Sequence, residues 1–166
     1  MHKVFLSIGS NKGKRLNYLK KAILEIGNTP SIIYIKTSPV YETKPMYNLK
    51  QKSFLNLVIE INTSINPINL LRETQEIEKK IGRKRTYLKN QPRVIDIDIL
   101  DYENVILNNK ELILPHPAIC ERLFVLKPWS DISPMHKLPS IKKDIYQLMS
   151  NMKIDTDIIK LHTNRI

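Results

Sequence analysis

Between residues 94 and 102 the chain reads Val-Ile-Asp-Ile-Asp-Ile-Leu-Asp-Tyr, and this alternation constrains the fold more than any other stretch. Apolar and acidic residues at a period of two give a half-buried strand. Side chains of a strand alternate between faces, so Ile95, Ile97 and Ile99 turn to a core while Asp96 and Asp98 emerge together on the other face. Aspartate is depleted in strands, and two on one face repel each other unless something neutralises them. One reading is a solvated face of an antiparallel sheet. The other is a seat for a hard, oxygen-seeking cation such as Mg²⁺, which takes one or two carboxylates and fills its shell with water and phosphate oxygens.

The residues just upstream favour the cation. Arg83, Lys84, Arg85, Lys89 and Arg93 fall within residues 82–93, with no acid among them. Guanidinium groups present planar forks that grip phosphate in a bidentate way. Acids for a metal beside cations for a phosphate are the two halves of a phosphoryl-transfer site.

The rest of the chain supplies the partners for this strand. Lys3 to Ser10 is a nearly continuous apolar run, a strand buried on both faces. Leu16, Leu19, Ile23 and Ile26 recur at helical spacing until Gly27, Asn28 and Pro30 stop them. Ser31 to Ser38 reads as a second strand, Pro39 to Lys52 as a loop, and Phe54 to Thr63 as a third strand. Asn66-Pro67 opens a second helix with Leu70, Leu71, Ile77 and Ile81 on its apolar stripe, and Gly82 ends it. The order strand, helix, strand, strand, helix, strand predicts an α+β, ferredoxin-like antiparallel sheet with both helices on one face. Asp96 and Asp98 belong on the opposite face. A hairpin of residues 105–107 and 112–114 and two closing helices, over 118–127 and 140–151, extend this at the C-terminal end into α/β/α layers. Residues 1–166 are expected to form one domain.

Composition narrows the class. A hydrophobic fraction of 42% and a charged fraction of 26% are those of a globular protein. The single cysteine, Cys120, excludes an internal disulfide and fits a reducing compartment. No apolar run has the length of a leader or a membrane span, so the expected location is cytoplasmic, with no membrane partner. The net charge of +11 has two readings, an anionic partner or a general bias toward lysine in a chain heavy in Ile, Lys and Asn. Scattered lysines such as Lys20, Lys21 and Lys142 fit the bias. The arginines of residues 83–93 need a separate reason.

Several weaker signals remain. Gly9-Ser10-Asn11-Lys12-Gly13-Lys14 resembles a P-loop but is one residue short between its glycines, and Arg15 stands where a hydroxyl should hold the metal. Gly9 is instead expected to allow a tight turn. Pro115-His116-Pro117 pins an imidazole close to Arg122, a pairing suited to an anion. On pattern alone Phe54 and Phe124 are core aromatics, and Glu78 is an exposed helical acid.

Taken together, Ile8-Gly9-Ser10-Asn11, Tyr41-Glu42-Thr43-Lys44-Pro45, Phe54-Leu55-Asn56, Gly82-Arg83-Lys84-Arg85, Pro92-Arg93-Val94-Ile95-Asp96-Ile97-Asp98-Ile99 and Pro115-His116-Pro117 form a pattern. It resembles the 6-hydroxymethyl-7,8-dihydropterin pyrophosphokinases of folate biosynthesis, from residue 4 to about residue 150. The resemblance implies a transferase that moves the β,γ-diphosphoryl group of ATP to a pterin hydroxymethyl oxygen and releases AMP. It implies that Asp96 and Asp98 hold two Mg²⁺ ions, and that Arg83 and Arg93 act in catalysis. It further implies that Gln75, Glu78, Arg85, Lys89, Ile99, His116 and Arg122 contact ATP. The implied pterin contacts are Thr43, Lys44 and Met46 on a loop, Phe54 and Phe124 stacking on the flat ring, and Asn56 at its polar edge.

The chain departs from the family pattern at Lys89-Asn90-Gln91, where Arg-Trp-Gly is usual, and at Tyr47, where a glycine is usual. Two rivals share parts of the signal. A ferredoxin-like RNA-binding module would expose stacking aromatics, not Asp96 and Asp98, on its strands. A metal-dependent nuclease would share the aspartates but not the pterin aromatics. The expected partners are therefore small molecules, not nucleic acid, acting on a monomer.

Overall fold

The structure is a computed structural model, and it describes residues 1–46, 50–84, 91–152 and 158–166. Its frame is an antiparallel sheet of six strands. They are β1 (His2–Ser10), β2 (Ile32–Thr37), β3 (Val40–Thr43), β4 (Phe54–Thr63), β5 (Asp96–Tyr102) and, at the C-terminal end, β8 (Ile159–Thr163). Helix α1 spans Arg15–Gly27 and α2 spans Pro67–Ile81. Taken alone, β5, β1, β4 and β2 lie in the order fourth, first, third, second, which is the ferredoxin-like arrangement.

The ends of α2 follow its sequence. The Asn66 side chain accepts the Asn69 N–H at 2.9 Å, Pro67 takes the first turn, and Gly82 closes the helix at a φ of +114°. Both helices cover one sheet face, where Val4, Leu6, Ile8, Leu57, Ile59, Ile97 and Ile99 meet Leu19, Ile26, Leu70 and Ile77. Each such side chain withdrawn from water contributes on the order of 1.5–3 kcal/mol before the entropy cost of ordering it.

The opposite face is not free along its whole length. Helix α3 (Leu123–Ile132) and the short α4 (Ile145–Ser150) pack there on Phe5, Val58 and Leu100 through Val125, Leu126, Trp129 and Ile145. A hairpin of β6 (Leu107–Asn108) and β7 (Ile113–Leu114) precedes them. The α/β/α layering expected from the sequence is present, with α3 confined to one end. Strand β5 marks the boundary: Leu100 lies under α3, while Asp98 and Asp96 extend beyond it. A bulge where Phe5 meets β5 shifts the register, so that Leu6 pairs with Ile99 and Phe5 with Asp101. That shift turns Asp101 to the α3 side, where its carboxylate bonds His136 at 2.8 Å.

Four expectations need correction. Residues 40–43, assigned to a loop, form β3, which pairs with the first residues of β4. Residues 159–163 form β8 on the outer edge of β3, where no strand was expected. The helix expected over 118–127 is a 3-10 turn at Ile119–Glu121 followed by α3, which runs on to Ile132. Gly9 is not in a turn but within β1, opposite Asn56. A Cβ there would sit 2.6 Å from the Asn56 Oδ1, so glycine is required by a close side-chain approach.

Candidate active site

The site forms where β1, β4 and β5 emerge from under α3. Residues i and i+2 of a strand share a face, so Asp96 and Asp98 project together, and Ser7 and Gly9 of the neighbouring β1 lie beside them. Two cavities open here. The larger, about 560 Å³, extends toward α2 and is lined by Leu71, Gln75, Glu78, Arg83, Lys12 and Ile97 among others. The smaller, about 250 Å³, extends toward β3 and β4 and is lined by Thr43, Lys44, Met46, Phe54, Asn56 and Phe124, together with His116 and Arg122. Gln91, Arg93, Asp96 and Asp98 line both cavities. The aspartate pair is the wall they share.

Charge around that wall is tightly paired. Arg83 donates to Asp96 at 2.6 Å and also to Glu78, and Arg93 donates to the other oxygen of Asp96. Arg122 reaches Asp98 at 3.4 Å. Asp98 keeps about a third of its side-chain surface in contact with solvent but is crowded on the site floor. That desolvation, then the charge of Asp96, raises its pKa to about 6 against the pull of Arg122, Arg93 and Arg83. A carboxylate whose ionised form is disfavoured in this way, beside a second carboxylate, fits a divalent cation, which favours the charged form. Among the described residues no third His, Cys, Asp or Glu joins them, so the remaining positions of such an ion's shell fall to water or to a ligand.

Glu78 was expected to be an exposed helical acid and is not. It is 6% exposed, and its carboxylate accepts the Ile97 N–H at 2.7 Å. Burial raises its pKa to about 7, with Arg83 acting against the shift and Asp96 adding to it. The strand it grips is the one that carries both aspartates.

His116 is held against the sheet by its own N–H, which donates to the Leu100 carbonyl at 2.8 Å. Its Nδ1 accepts the Ala118 N–H at 3.2 Å, which leaves the neutral ring's proton on Nε2. Burial and then Arg122 lower its pKa to about 4, so the ring is neutral at physiological pH. Nε2 lies 3.5 Å from an Arg122 Nη. Two donors face each other there, and the Nε of Arg122 is buried without a partner among the described residues. An anionic oxygen satisfies such donors. The Arg122 guanidinium also lies 5.7 Å from the centre of the Phe124 ring.

In the smaller cavity the Asn56 Nδ2 donates to the Thr43 hydroxyl at 2.7 Å, joining β4 to β3. Thr43 and Asn56 are both buried, whereas Phe54 and Phe124 are part-exposed and line the cavity, Phe124 also packing against the core beneath α3. Of the other expected site residues, Ile99 lies in the core under α1 and α2 and lines neither cavity, while Ile97 lines the larger one. His116 and Arg122 line the smaller cavity rather than the larger. Arg85 and Lys89 lie outside the described residues, as do Tyr47 and Asn90. Reading the sequence missed Asn11 and Gln51. Asn11 bonds the backbone of Arg93, and Gln51 lines the smaller cavity. The signal for Asn11 was its place at the end of Ile8-Gly9-Ser10-Asn11, a motif that carried the resemblance without assigning this residue a role.

Comparison with known proteins agrees with this geometry. The sequence profile of 7,8-dihydro-6-hydroxymethylpterin-pyrophosphokinase (HPPK) matches residues 5–134. This chain belongs to the HPPK family. It is 41% identical over 128 residues to the 2-amino-4-hydroxy-6-hydroxymethyldihydropteridine pyrophosphokinase of Bacillus subtilis, covering 77% of this chain and 76% of that protein. It is 46% identical over 130 residues to the folic acid synthesis protein fol1 of Pneumocystis carinii, covering 78% of this chain but 17% of that protein. Against the fol1 protein of Schizosaccharomyces pombe the figures are 40% over 164 residues, 90% and 22%. The chain therefore spans less than a quarter of these two fungal relatives. Among solved structures, the HPPK-DHPS of Plasmodium falciparum superposes with a TM-score of 0.74 at 16% identity, over 96% of this chain and 44% of that one. At that identity the match supports the fold alone, and it is the α+β HPPK fold.

Proposed function

We propose that this chain, as a single domain over residues 1–166, is the pyrophosphokinase that transfers the β,γ-diphosphoryl group of MgATP to 6-hydroxymethyl-7,8-dihydropterin in folate synthesis. The observation that carries the reading is the shared wall: two cavities of unlike chemistry meet at Asp96, Asp98 and Arg93. The larger, bordered by Arg83, Arg93, Lys12 and Lys84, suits a triphosphate. The smaller, with two part-exposed phenyl rings and the amide of Asn56, suits a flat heteroaromatic read at its edge.

In this reading the pterin hydroxyl oxygen bonds to the β-phosphorus as the α,β-bridging P–O bond breaks, releasing AMP and a proton. Two Mg²⁺ ions bound by Asp96 and Asp98 would supply charge neutralisation for the triphosphate and lower the pKa of the attacking hydroxyl. Arg83 and Arg93 reach the same carboxylate, so a phosphate bound beside it lies within their range. Positioning and charge stabilisation account for most of phosphoryl-transfer catalysis, and these residues supply both. Gln75 and Glu78 border the nucleotide, and His116 with Arg122 present paired donors to a phosphate oxygen near the junction. Arg85 and Lys89 complete the proposed nucleotide contacts, with Ile97 in place of the core residue Ile99 on the cavity wall. Thr43, Lys44, Met46, Phe54, Asn56 and Phe124 hold the pterin.

No helix among the described residues is long and apolar enough to cross a membrane. A cytoplasmic monomer that works on small molecules without nucleic acid is the proposed setting. The decisive experiment incubates the protein with the pterin, ATP and Mg²⁺ and follows the nucleotide product. AMP formed in equal amount to pterin diphosphate supports the reading, and ADP or no turnover refutes it. Phe54→Ala and Phe124→Ala should each weaken pterin binding by about 1 kcal/mol or more with little effect on ATP.

A further inference from the structure

Arg15, the residue that breaks the P-loop pattern, is engaged elsewhere. It is the first residue of α1, and its Nη1 donates to the Glu42 Oε1 and to the Ser53 carbonyl, each at 2.8 Å. The Ser53 hydroxyl oxygen lies 2.9 Å from the same nitrogen and donates its own proton to the Glu42 Oε1. The Ser53 hydroxyl and then Arg15 hold the Glu42 carboxyl below the usual carboxylate range, so the cluster contains a full ion pair. Four residues earlier, the Asn11 Nδ2 donates to the Gln51 Oε1 at 2.8 Å and to the Lys52 carbonyl at 3.4 Å. The connection from β1 to α1 thus holds residues 51–53, the limb of chain that returns to β4.

The partners of Arg15 stand next to residues assigned to the pterin. Glu42 precedes Thr43, Ser53 precedes Phe54, and Thr43 is paired with Phe54 across β3 and β4. Side chains of a strand alternate, so with Thr43 on the smaller cavity Glu42 turns to the face covered by α1 and α2. Arg15 therefore acts from behind the sheet and lines neither cavity. Strand β3 has other supports, since it pairs with β4 and β8 and the Lys44 N–H donates to the Ile158 carbonyl at 3.0 Å. Ser53 stands before that ladder begins. Its carbonyl belongs to the peptide bond that leads into Phe54, and Arg15 fixes it.

We propose that Arg15 is a positioning residue for the pterin, one that presets Phe54 and Thr43 through Ser53 and Glu42 from the back of the sheet. The inference rests on the substrate assignment proposed above. Each bond that orders a contact residue in advance removes an entropy cost that binding would otherwise carry. These bonds join protein groups to one another, so the preset is a property of the fold. Its effect falls on binding rather than on the chemical step, because the ground state and the transition state share the same pterin contacts.

Steady-state kinetics of the full chain tests this, with AMP as the measured product. At saturating MgATP, Arg15→Ala should raise the pterin KM by about fivefold or more, the scale of one part-buried ion pair. Its kcat at saturating pterin and its KM for MgATP should each stay within about twofold of wild type. The Arg15 contacts all come from one nitrogen, so Arg15→Lys, with a cation one bond shorter, should bring the pterin KM back to within about threefold. Glu42→Ala removes the other end of the link and should raise the pterin KM as well. The double variant should add little to the larger single effect. Glu42→Ala decides the matter if Arg15→Ala does not fold. A pterin KM unchanged in Glu42→Ala or in a folded Arg15→Ala, or one that rises together with the KM for MgATP, overturns the proposal. Wild type that turns over the pterin no better than the variants overturns it alone, and wild type without turnover overturns the substrate assignment with it.

Discussion

The carboxylate of Glu78, on α2, accepts the backbone N–H of Ile97, on β5, at 2.7 Å. Ile97 stands between Asp96 and Asp98, so one helical side chain sets the height of the strand that carries both. The same carboxylate holds Arg83, which in turn holds Asp96. Helix, strand and cation are connected through a single buried acid.

Removing that acid should cost more than its charge. Glu78→Ala leaves the Ile97 N–H buried without a partner and deprives Arg83 of one of its two carboxylates. A loss of about 2–3 kcal/mol of stability is expected in urea unfolding. Glu78→Gln retains an acceptor for the N–H and should cost less than half as much.

The pH dependence has a definite sign. Glu78 titrates at about 7 in the fold against an ordinary value of 4.5, so between these limits the folded protein binds more protons than the unfolded chain. Its contribution is fully present below the ordinary value and is lost as pH rises through about 7. In chelator, raising the pH from 5 to 8 should destabilise wild type relative to Glu78→Gln by on the order of 2 kcal/mol. Denaturant midpoints of both proteins at the two pH values check this, and parallel curves would contradict it.

Asp98→Asn should separate stability from activity. The side chain is set against the charge of Asp96, and desolvation already favours its neutral form. The substitution removes repulsion and opens no cavity, so the melting temperature in chelator should hold or rise. Turnover should fall by at least about a hundredfold, as expected for loss of a group that stabilises transition-state charge through a metal. Melting curves and an AMP assay on the same sample give both readings.

Gly9→Ala should act on the pterin side. The new methyl would sit 2.6 Å from the Asn56 Oδ1 and push that amide away from the Thr43 hydroxyl. Overpacking of this kind costs about 1–3 kcal/mol. Pterin affinity should drop, while affinity for the ATP analogue, bound on the other side of the aspartates, should change little. Separate titrations with each ligand distinguish the two.

The strong local patterns were legible. The alternation at 95–99, the stripe of α2 between Asn66 and Gly82, and the apolar run of β4 each encode an element without reference to the rest of the chain. Residues 40–43 and 159–163 were not legible as strands, because a four- or five-residue strand is stabilised by its neighbours rather than by its own propensity. Val40–Thr43 pairs with β4 on one side and Ile159–Thr163 on the other, and that partnership defines both.

The ferredoxin-like order of elements, the common face of Asp96 and Asp98, and the family resemblance are all written in local spacing along the chain. That Glu78 is buried, that Gly9 makes room for Asn56, that a bulge turns Asp101 toward His136, and that Asn11 spans two segments emerges from the folded arrangement. Each of these depends on a contact with a residue 19 to 82 positions away. Spacing along a chain carries no record of such distant partners. They become visible only when the sheet brings the strands side by side.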